Sequence, residues 1–417
     1  MKRILFATLG SLGDLHPCLA LALELMRSGH RVTIASTEFY REKVEGLGLG
    51  FVPIRPDWNP GDRDMIAQCA DLKKGPEILF RRIILPELRG TYDDLLAAAR
   101  GMDLMIAGEM VYGAPLVAEK LGLRWASAIL SPASFLSAHD PSVLVNVPWL
   151  IHVRKLGWPV YRAVMNVGRL GTRHWWNPVR NLRREEGLKA DCDPLFRDKF
   201  SPDLVLALFS PLLARKQPDW PRQTVQPGFV FFDRGQPAED ALPELTDFLS
   251  AGDAPIVFTL GSTAVHNPGD FYQASAEAAR LLGRRAVLLV GGNAALQVSS
   301  REILMLPYAP YSRIFPHASA IVHQGGSGTT GQAMLAGKPM LFVPYGWDQP
   351  DNAARVERLG IGLHVPRARY SASTAAKALE RLLGDGRFAK RAGDVGREVR
   401  AEEGLFGACD AIESILP

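Results

Sequence analysis

The sequence predicts an α/β protein built as two doubly wound, parallel-sheet domains facing across a cleft. Three observations carry that expectation. The first forty residues run strand, helix, strand, and the opening strand is a continuous apolar run of the kind a parallel sheet buries on both faces. The same order returns after Pro255. The chain has 417 residues, too many for one ordinary core but suited to two domains of about 200 residues each.

Residues 3–9 form the first apolar run. Residues 17–28 carry apolar side chains at helical spacing, and Gly29 supplies the C-terminal stop. The stretch RVTIAS at 31–36 is the next strand and completes a right-handed βαβ unit. Later strands are predicted at 104–107, 125–129 and 204–208. In the second half, PIVFTLGST at 255–263 reads as a strand ending in a glycine turn, followed by a helix over 271–282 and a strand over 286–290. AIVHQGGSGTTGQAMLAGKPMLFVP then reads strand, glycine loop, helix, strand, and a helix follows over 351–359. Periodicity lapses in the proline-rich stretch 215–243. The domains are therefore expected at 1–220 and 244–395, with a linker at 221–243.

Hydrophobic residues make up 47% of the chain and the formal charge is +4, a soluble globular balance that permits anionic partners without demanding nucleic acid. The four cysteines, Cys18, Cys69, Cys192 and Cys409, form no C-x-x-C pair, which suggests neither a disulfide framework nor a zinc site and suits a reducing cytoplasm. The apolar stretch after Met1-Lys2-Arg3 is broken by Gly10, Gly13 and Asp14, so it reads as a buried strand and not as a signal peptide. No segment reaches the roughly eighteen apolar residues of a membrane span.

In doubly wound sheets ligands bind beyond the carboxyl ends of the strands, where the glycine loops of both halves fall. In HQGGSGTTGQ, Gly325, Gly326 and Gly328 let the backbone approach an anion, and Ser327 and Thr329 supply amides at a helix N-terminus whose dipole favours a diphosphate. His323 would donate a ring nitrogen to the same charge. Taken alone, the loop is equally a glycine-lubricated turn with a buried histidine. GWDQ after the next strand would bring Asp348 and Gln349 to the same ligand, with the acceptor and donor capacity that sugar hydroxyls require. Tyr308, ahead of the strand leading to His323, is placed to stack on a base, although a lone tyrosine is more often core packing.

The run from Tyr308 through His323 and the glycine loop to Asp348-Gln349 resembles the nucleotide-sugar signature of the family 1 inverting glycosyltransferases, which have the GT-B fold. GSLGDLHP resembles their N-terminal G-D/H-x-x-P element. SPASFLSAH at 131–139, QPDWP at 217–221 and VFTLGST at 257–263 extend the likeness, with bacterial rhamnolipid-type rhamnosyltransferases and related glucosyltransferases the nearest in kind. The resemblance implies that the first loop reads the acceptor, that Asp14 is the general base, that Ser262 touches the diphosphate, and that the C-terminal helix, 396–417, crosses back to the N-terminal domain. The competing reading of Asp14 is a cap for the helix starting near Pro17. His16 is a fallback base that more readily packs locally. Two positions depart from the family pattern. The aspartate that orients a catalytic histidine in plant members is Gly108 here, beside Glu109, and the ribose-binding glutamate is Gly331, beside Gln332. The second departure leans towards a deoxyribose donor, and keeps dTDP-rhamnose beside UDP-glucose.

No cofactor beyond the nucleotide sugar is expected, and no metal. DRD at 62–64 and DCD at 191–193 imitate a D-x-D metal motif but sit in polar, loop-like context. Leaving-group charge would fall to the helix N-terminus and His323. Residues 141–184 contain no Asp or Glu but eight basic residues and four of the eight tryptophans, Trp149, Trp158, Trp175 and Trp176. Within it, 149–184 either contacts an anionic membrane surface or walls an apolar acceptor pocket. The expected enzyme transfers a hexose to a hydroxyl of a flavonoid, phenolic or hydroxy-lipid acceptor. A nucleotide-sugar epimerase of the same fold and a non-catalytic nucleotide-sugar binder are the alternatives.

Overall fold

A computed structural model describes the chain except for residues 60–61, 70, 72–73, 233–242 and 293–297. It divides into one unit of Met1–Asp62, Lys73–Phe232 and Glu403–Pro417 and a second of Arg63–Leu72 and Asp233–Glu402.

The first unit holds β1 (Arg3–Ala7), β2 (Arg31–Ser36), β3 (Gly50–Pro53), β4 (Leu104–Gly108), β5 (Trp125–Ile129), β6 (Leu204–Ala207) and β7 (Thr224–Val225). All pair parallel, in the order β3-β2-β1-β4-β5-β6-β7. Successive residues of β1 serve opposite faces. Ile4 and Phe6 join a core with Leu15 and Leu19 of the helix Leu12–Arg27, while Leu5 and Ala7 join another with Leu88 and Tyr92. A strand covered on both faces has no polar side to show, which is why RILFA is apolar without alternation.

The first helix begins at Leu12 and not near Pro17. Ser11 caps it, and Ser11 and Asp14 form a reciprocal capping box that starts the helix while Pro17 is still ahead. Thr8 and Leu9 lie beyond the end of β1. The helix Gly404–Ser414 adds Ala408, Cys409 and Ile412 to the core of the first unit, and His30 Nε2 lies 3.2 Å from Glu413 Oε1. The returning segment thus starts at Glu403. Residues 396–402 remain with the second unit, where the helix Gly386–Arg400 packs tightly on the glycine-loop helix, Gly396 against Gly337. The expected linker also divides. Residues 221–232 belong to the first unit, where Thr224 pairs with Val205, and 233–242 lie outside the described residues.

The second unit holds β8 (Ile256–Thr259), β9 (Ala286–Leu289), β10 (Ile303–Leu306), β11 (Ala320–His323), β12 (Met340–Phe342) and β13 (Gly362–His364), again all parallel, in the order β10-β9-β8-β11-β12-β13. Each sheet reverses its strand order once at its centre, between β1 and β4 and between β8 and β11. At such a switch point the loops leave on opposite faces and open a crevice above the strand ends. Asp14 follows β1 and His323 ends β11, each beside one of these switch points, whereas Tyr308 follows the edge strand β10.

Candidate active site

In the second unit, β11 ends at His323 and the chain turns through Gly325 into the helix Ser327–Ala336. Gly325 has φ +98°, and a Cβ there would stand 2.6 Å from the Phe342 ring, so the turn requires glycine. The helix N-cap is Gly326, which offers no side-chain cap, and Thr330 N–H is the amide that bonds back to the Gly326 carbonyl. The amides of Ser327, Gly328 and Thr329 precede the first intrahelical bond and point out of the N-terminus, as an anion requires.

His323 is fully buried beneath this loop, its ring 4.4 Å from that of Phe342. Gly325 N–H donates to His323 Nδ1 at 3.1 Å, which puts the ring proton on Nε2. Burial lowers the pKa to about 3, so the imidazole is neutral at physiological pH and offers a donor without a charge. Nε2 has no partner. Gln324 Oε1, Thr330 Oγ1 and Asn352 Oδ1 are also buried without partners. Native interiors rarely leave buried polar atoms unpaired, at about 1–3 kcal/mol each, and four around one glycine loop mark a place built for a polar ligand.

The loops flanking this turn are tied to it. Ser327 Oγ donates to Asp348 Oδ2 at 2.7 Å, and Asn352 Nδ2 donates to Asp348 Oδ2 at 2.9 Å and to the Gly325 carbonyl at 2.9 Å. Asp348 therefore braces the glycine loop through Oδ2. Gln349 is 4% exposed, and its Oε1 accepts from the amides of Tyr345 and Gly346, which leaves Nε2 as its remaining polar atom. Trp347, between them in the GWDQ loop, has φ +54°, a strained backbone for a bulky residue. Ser262 lies in the short helix Gly261–Ala264 after β8, where Thr259 is in register with His323. Tyr308 follows β10 and is half exposed; three residues on, the Tyr311 hydroxyl reaches Thr259 Oγ1 at 3.0 Å, so this segment runs from the sheet edge back to β8. Gly331 is buried and Gln332 half-buried. The sequence did not point to Asn352 or Gln324, whose roles depend on partners in other loops.

In the first unit, Asp14 occupies the first turn of the helix after β1. Its Oδ2 accepts from Ser11 N–H at 2.8 Å, and the same oxygen lies where a Cβ on Gly10 would be, at 2.2 Å, so Gly10 gives the carboxylate its room. Capping thus occupies Oδ2. Asp14 lines one pocket with Thr8, Cys18, Gly108 and Glu109, the last two at the end of β4. Glu109, beside Gly108, accepts from Ser134 Oγ at 2.7 Å and lies 3.4 Å from Lys199 Nζ. Lys199 is buried, which pulls its pKa down while Glu109 opposes the shift. The His16 ring packs at a tilt against Phe232, centroids 5.0 Å apart, and its pKa is lowered by desolvation to about 4, with Lys43 adding to the shift. It is neutral at physiological pH and packs locally.

The D-x-D sequences stand apart from both crevices by their contacts. Asp193 caps the turn Pro194–Asp198 and pairs with Arg169, and Asp191 pairs with Arg197. Asp62 and Asp64 are exposed. Among the described residues no three His, Cys, Asp or Glu side chains converge on a point where a metal ion could sit, and no helix is long and apolar enough to cross a membrane.

Two all-parallel doubly wound sheets give the chain a GT-B architecture, with an uncapped helix N-terminus and a neutral histidine donor at the switch point of the second. Residues 4–132 match the glycosyltransferase family 28 N-terminal domain, and residues 294–404 match the erythromycin biosynthesis protein CIII-like C-terminal domain. Over 99% of its length the chain is 34% identical to the O-mycaminosyltylonolide 6-deoxyallosyltransferase of Streptomyces fradiae, covering 97% of that protein. It is 29% identical over 98% of its length to a sterol 3-beta-glucosyltransferase of Neurospora crassa, of which it spans 27%. The chain belongs to this family of GT-B glycosyltransferases and is an enzyme of that class. Among solved structures, the kitacinnamycin glycotransferase superposes with TM-score 0.73 at 23% identity, covering 100% of this chain and 99% of that one. The spinosyn rhamnosyltransferase SpnG complexed with thymidine diphosphate superposes with TM-score 0.68 at 18% identity over 99% of this chain and 100% of that one. At these identities the likeness is one of fold. It does not extend to the special closeness to rhamnosyltransferases expected from the sequence.

Proposed function

We propose that this enzyme transfers a hexose, with inversion, from a dTDP- or UDP-sugar to a hydroxyl of a hydrophobic small molecule. The observation that carries the reading is the unpaired Nε2–H of buried, neutral His323 beside the uncapped N-terminus of the helix Ser327–Ala336. Both are donors fixed before any ligand arrives, and together they suit the charge that grows on a departing diphosphate. Ser262 and Thr329 add hydroxyls, Tyr308 stacks on the base, and Asp348 and Gln349 meet the sugar. The acceptor oxygen attacks the anomeric carbon as the bond from that carbon to the diphosphate oxygen breaks. The acceptor's proton passes to Asp14, and the electron pair leaves with the nucleoside diphosphate. A carboxylate of ordinary basicity suffices, because the hydroxyl becomes acidic only as the new bond forms.

Gly331, where the family carries a glutamate for the ribose, favours a dTDP-sugar. Carboxylate contacts to the ribose hydroxyls would be missing, and a deoxyribose, which lacks the 2′-hydroxyl, loses less by that than a ribose. A relative named for transfer of a 6-deoxyhexose and a structural neighbour bound to thymidine diphosphate support the same choice. Relatives named for macrolide and sterol acceptors support a bulky apolar acceptor. The test offers dTDP-rhamnose and UDP-glucose together with a macrolide aglycone, a sterol, a flavonol and a hydroxyalkanoyl lipid, and weighs the products by mass spectrometry. One acceptor should gain the mass of a deoxyhexose or a hexose. Donor converted to an isomer with every acceptor untouched would favour the epimerase instead.

A further inference from the structure

The helix Trp158–Thr172 has two apolar faces, and the protein covers one of them. On the covered face, Tyr161, Val164 and Met165 pack in a small cluster with Ala138 and Leu150. On the other, Val160, Val167 and Leu170 fall on a single stripe by helical spacing, and they are 41%, 70% and 67% exposed. Trp149, Leu156 and Trp158, just before this stripe, are exposed as well. Arg154, Lys155 and Arg173 border it, exposed and with no carboxylate partner among the described residues. Arg162 lies over the Trp158 ring at 5.0 Å.

We propose that this stripe docks on the surface of an anionic phospholipid bilayer. The helix has 15 residues, too few to span a bilayer of about 30 Å at 1.5 Å per residue, but enough to lie in the interface with its aliphatic stripe in the acyl boundary. Tryptophan suits the headgroup level, being apolar over its ring and polar at one edge. The charge decides between occupants. No acid occurs from 141 to 184, so a second copy of the same face would set cation against cation. A nucleic acid would leave the aliphatic stripe in water. Lipid phosphates over acyl chains satisfy both features at once. The inference does not depend on which sugar or acceptor the enzyme uses.

Flotation of the full chain with vesicles tests it, using phosphatidylcholine alone and phosphatidylcholine mixed with phosphatidylglycerol, each at low and high salt. Two double variants, V167S with L170S and R154E with K155E, change exposed positions only; thermal melting and sedimentation velocity accompany each. The chain should float with the mixed vesicles and less so at high salt. Each double variant should bind about tenfold more weakly or worse, with unchanged melting. Equal partition to neutral and mixed vesicles, or variants that bind as the parent does, would overturn the proposal. So would a parent dimer that V167S with L170S dissociates, since a second copy would then cover the stripe.

Discussion

At the residue scale, burial and hydrogen bonding prepare two groups for opposite tasks in the proposed transfer. His323 is kept neutral with its proton on Nε2, and Asp14 is held at the end of β1 by Ser11 and by the space Gly10 leaves. His323→Ala should weaken dTDP or UDP binding by about ten- to a hundredfold, the worth of one hydrogen bond to a charged group. Because the histidine is already neutral, its contribution should not change between about pH 5 and pH 8, which titration calorimetry at several pH values would check. The sequence singles out His323 only in company: taken alone the loop is equally a turn over a buried histidine, and Tyr308 with Asp348-Gln349 tips the reading. Glu109 was not legible as a site residue: its partner Lys199 is 90 residues away, and no local pattern announces a contact at that distance.

At the element scale, the glycine turn and the helix it opens are the proposed donor-binding device. Gly325→Ala would need a left-handed backbone and would drive a methyl into Phe342. Donor affinity should fall by about tenfold or more, while circular dichroism stays that of the parent, because the strain is local. Elements of this kind were legible where their residues are central in a sheet. β1, β4, β5, β8 and β11 are covered on both faces and read as unbroken apolar runs. The edge strands β3, β7 and β13 have two to four residues each and are partly exposed, which leaves no run to detect, and β10, ILML, is mostly buried but only four residues long. The start of the first helix was misread because Pro17 looks like a first-turn proline. The actual cap is a box closed by Asp14, where a glutamate or glutamine is the usual signal.

At the scale of the whole molecule, each unit carries its own sheet and one histidine that its surroundings hold neutral, His16 in the first and His323 in the second, which gives stability a predictable pH dependence. His16 and His323 titrate near 6.5 when unfolded but only at about 4 and about 3 when folded. Above pH 6.5 neither state binds the proton, and their full contribution is present. As pH falls below 6.5 the unfolded chain takes up protons that the folded chain refuses, so stability declines towards pH 4 and continues to decline towards pH 3. The melting temperature should therefore drop through that window, and less steeply in His16→Gln. The two-unit division was legible from the repeated strand-helix-strand order. The excursion of Arg63–Leu72 into the second unit was not, since a short polar helix carries no mark of the domain it joins.

In the proposed transfer Asp14 takes the acceptor's proton while a separately built site holds the nucleoside diphosphate. The measurement that tests it most directly compares product formation and dTDP affinity in the parent and in Asp14→Asn. Product formation should fall by about a hundred- to ten-thousandfold, the usual worth of a general base, with dTDP affinity unchanged. Transfer at the parent rate in Asp14→Asn would contradict the account.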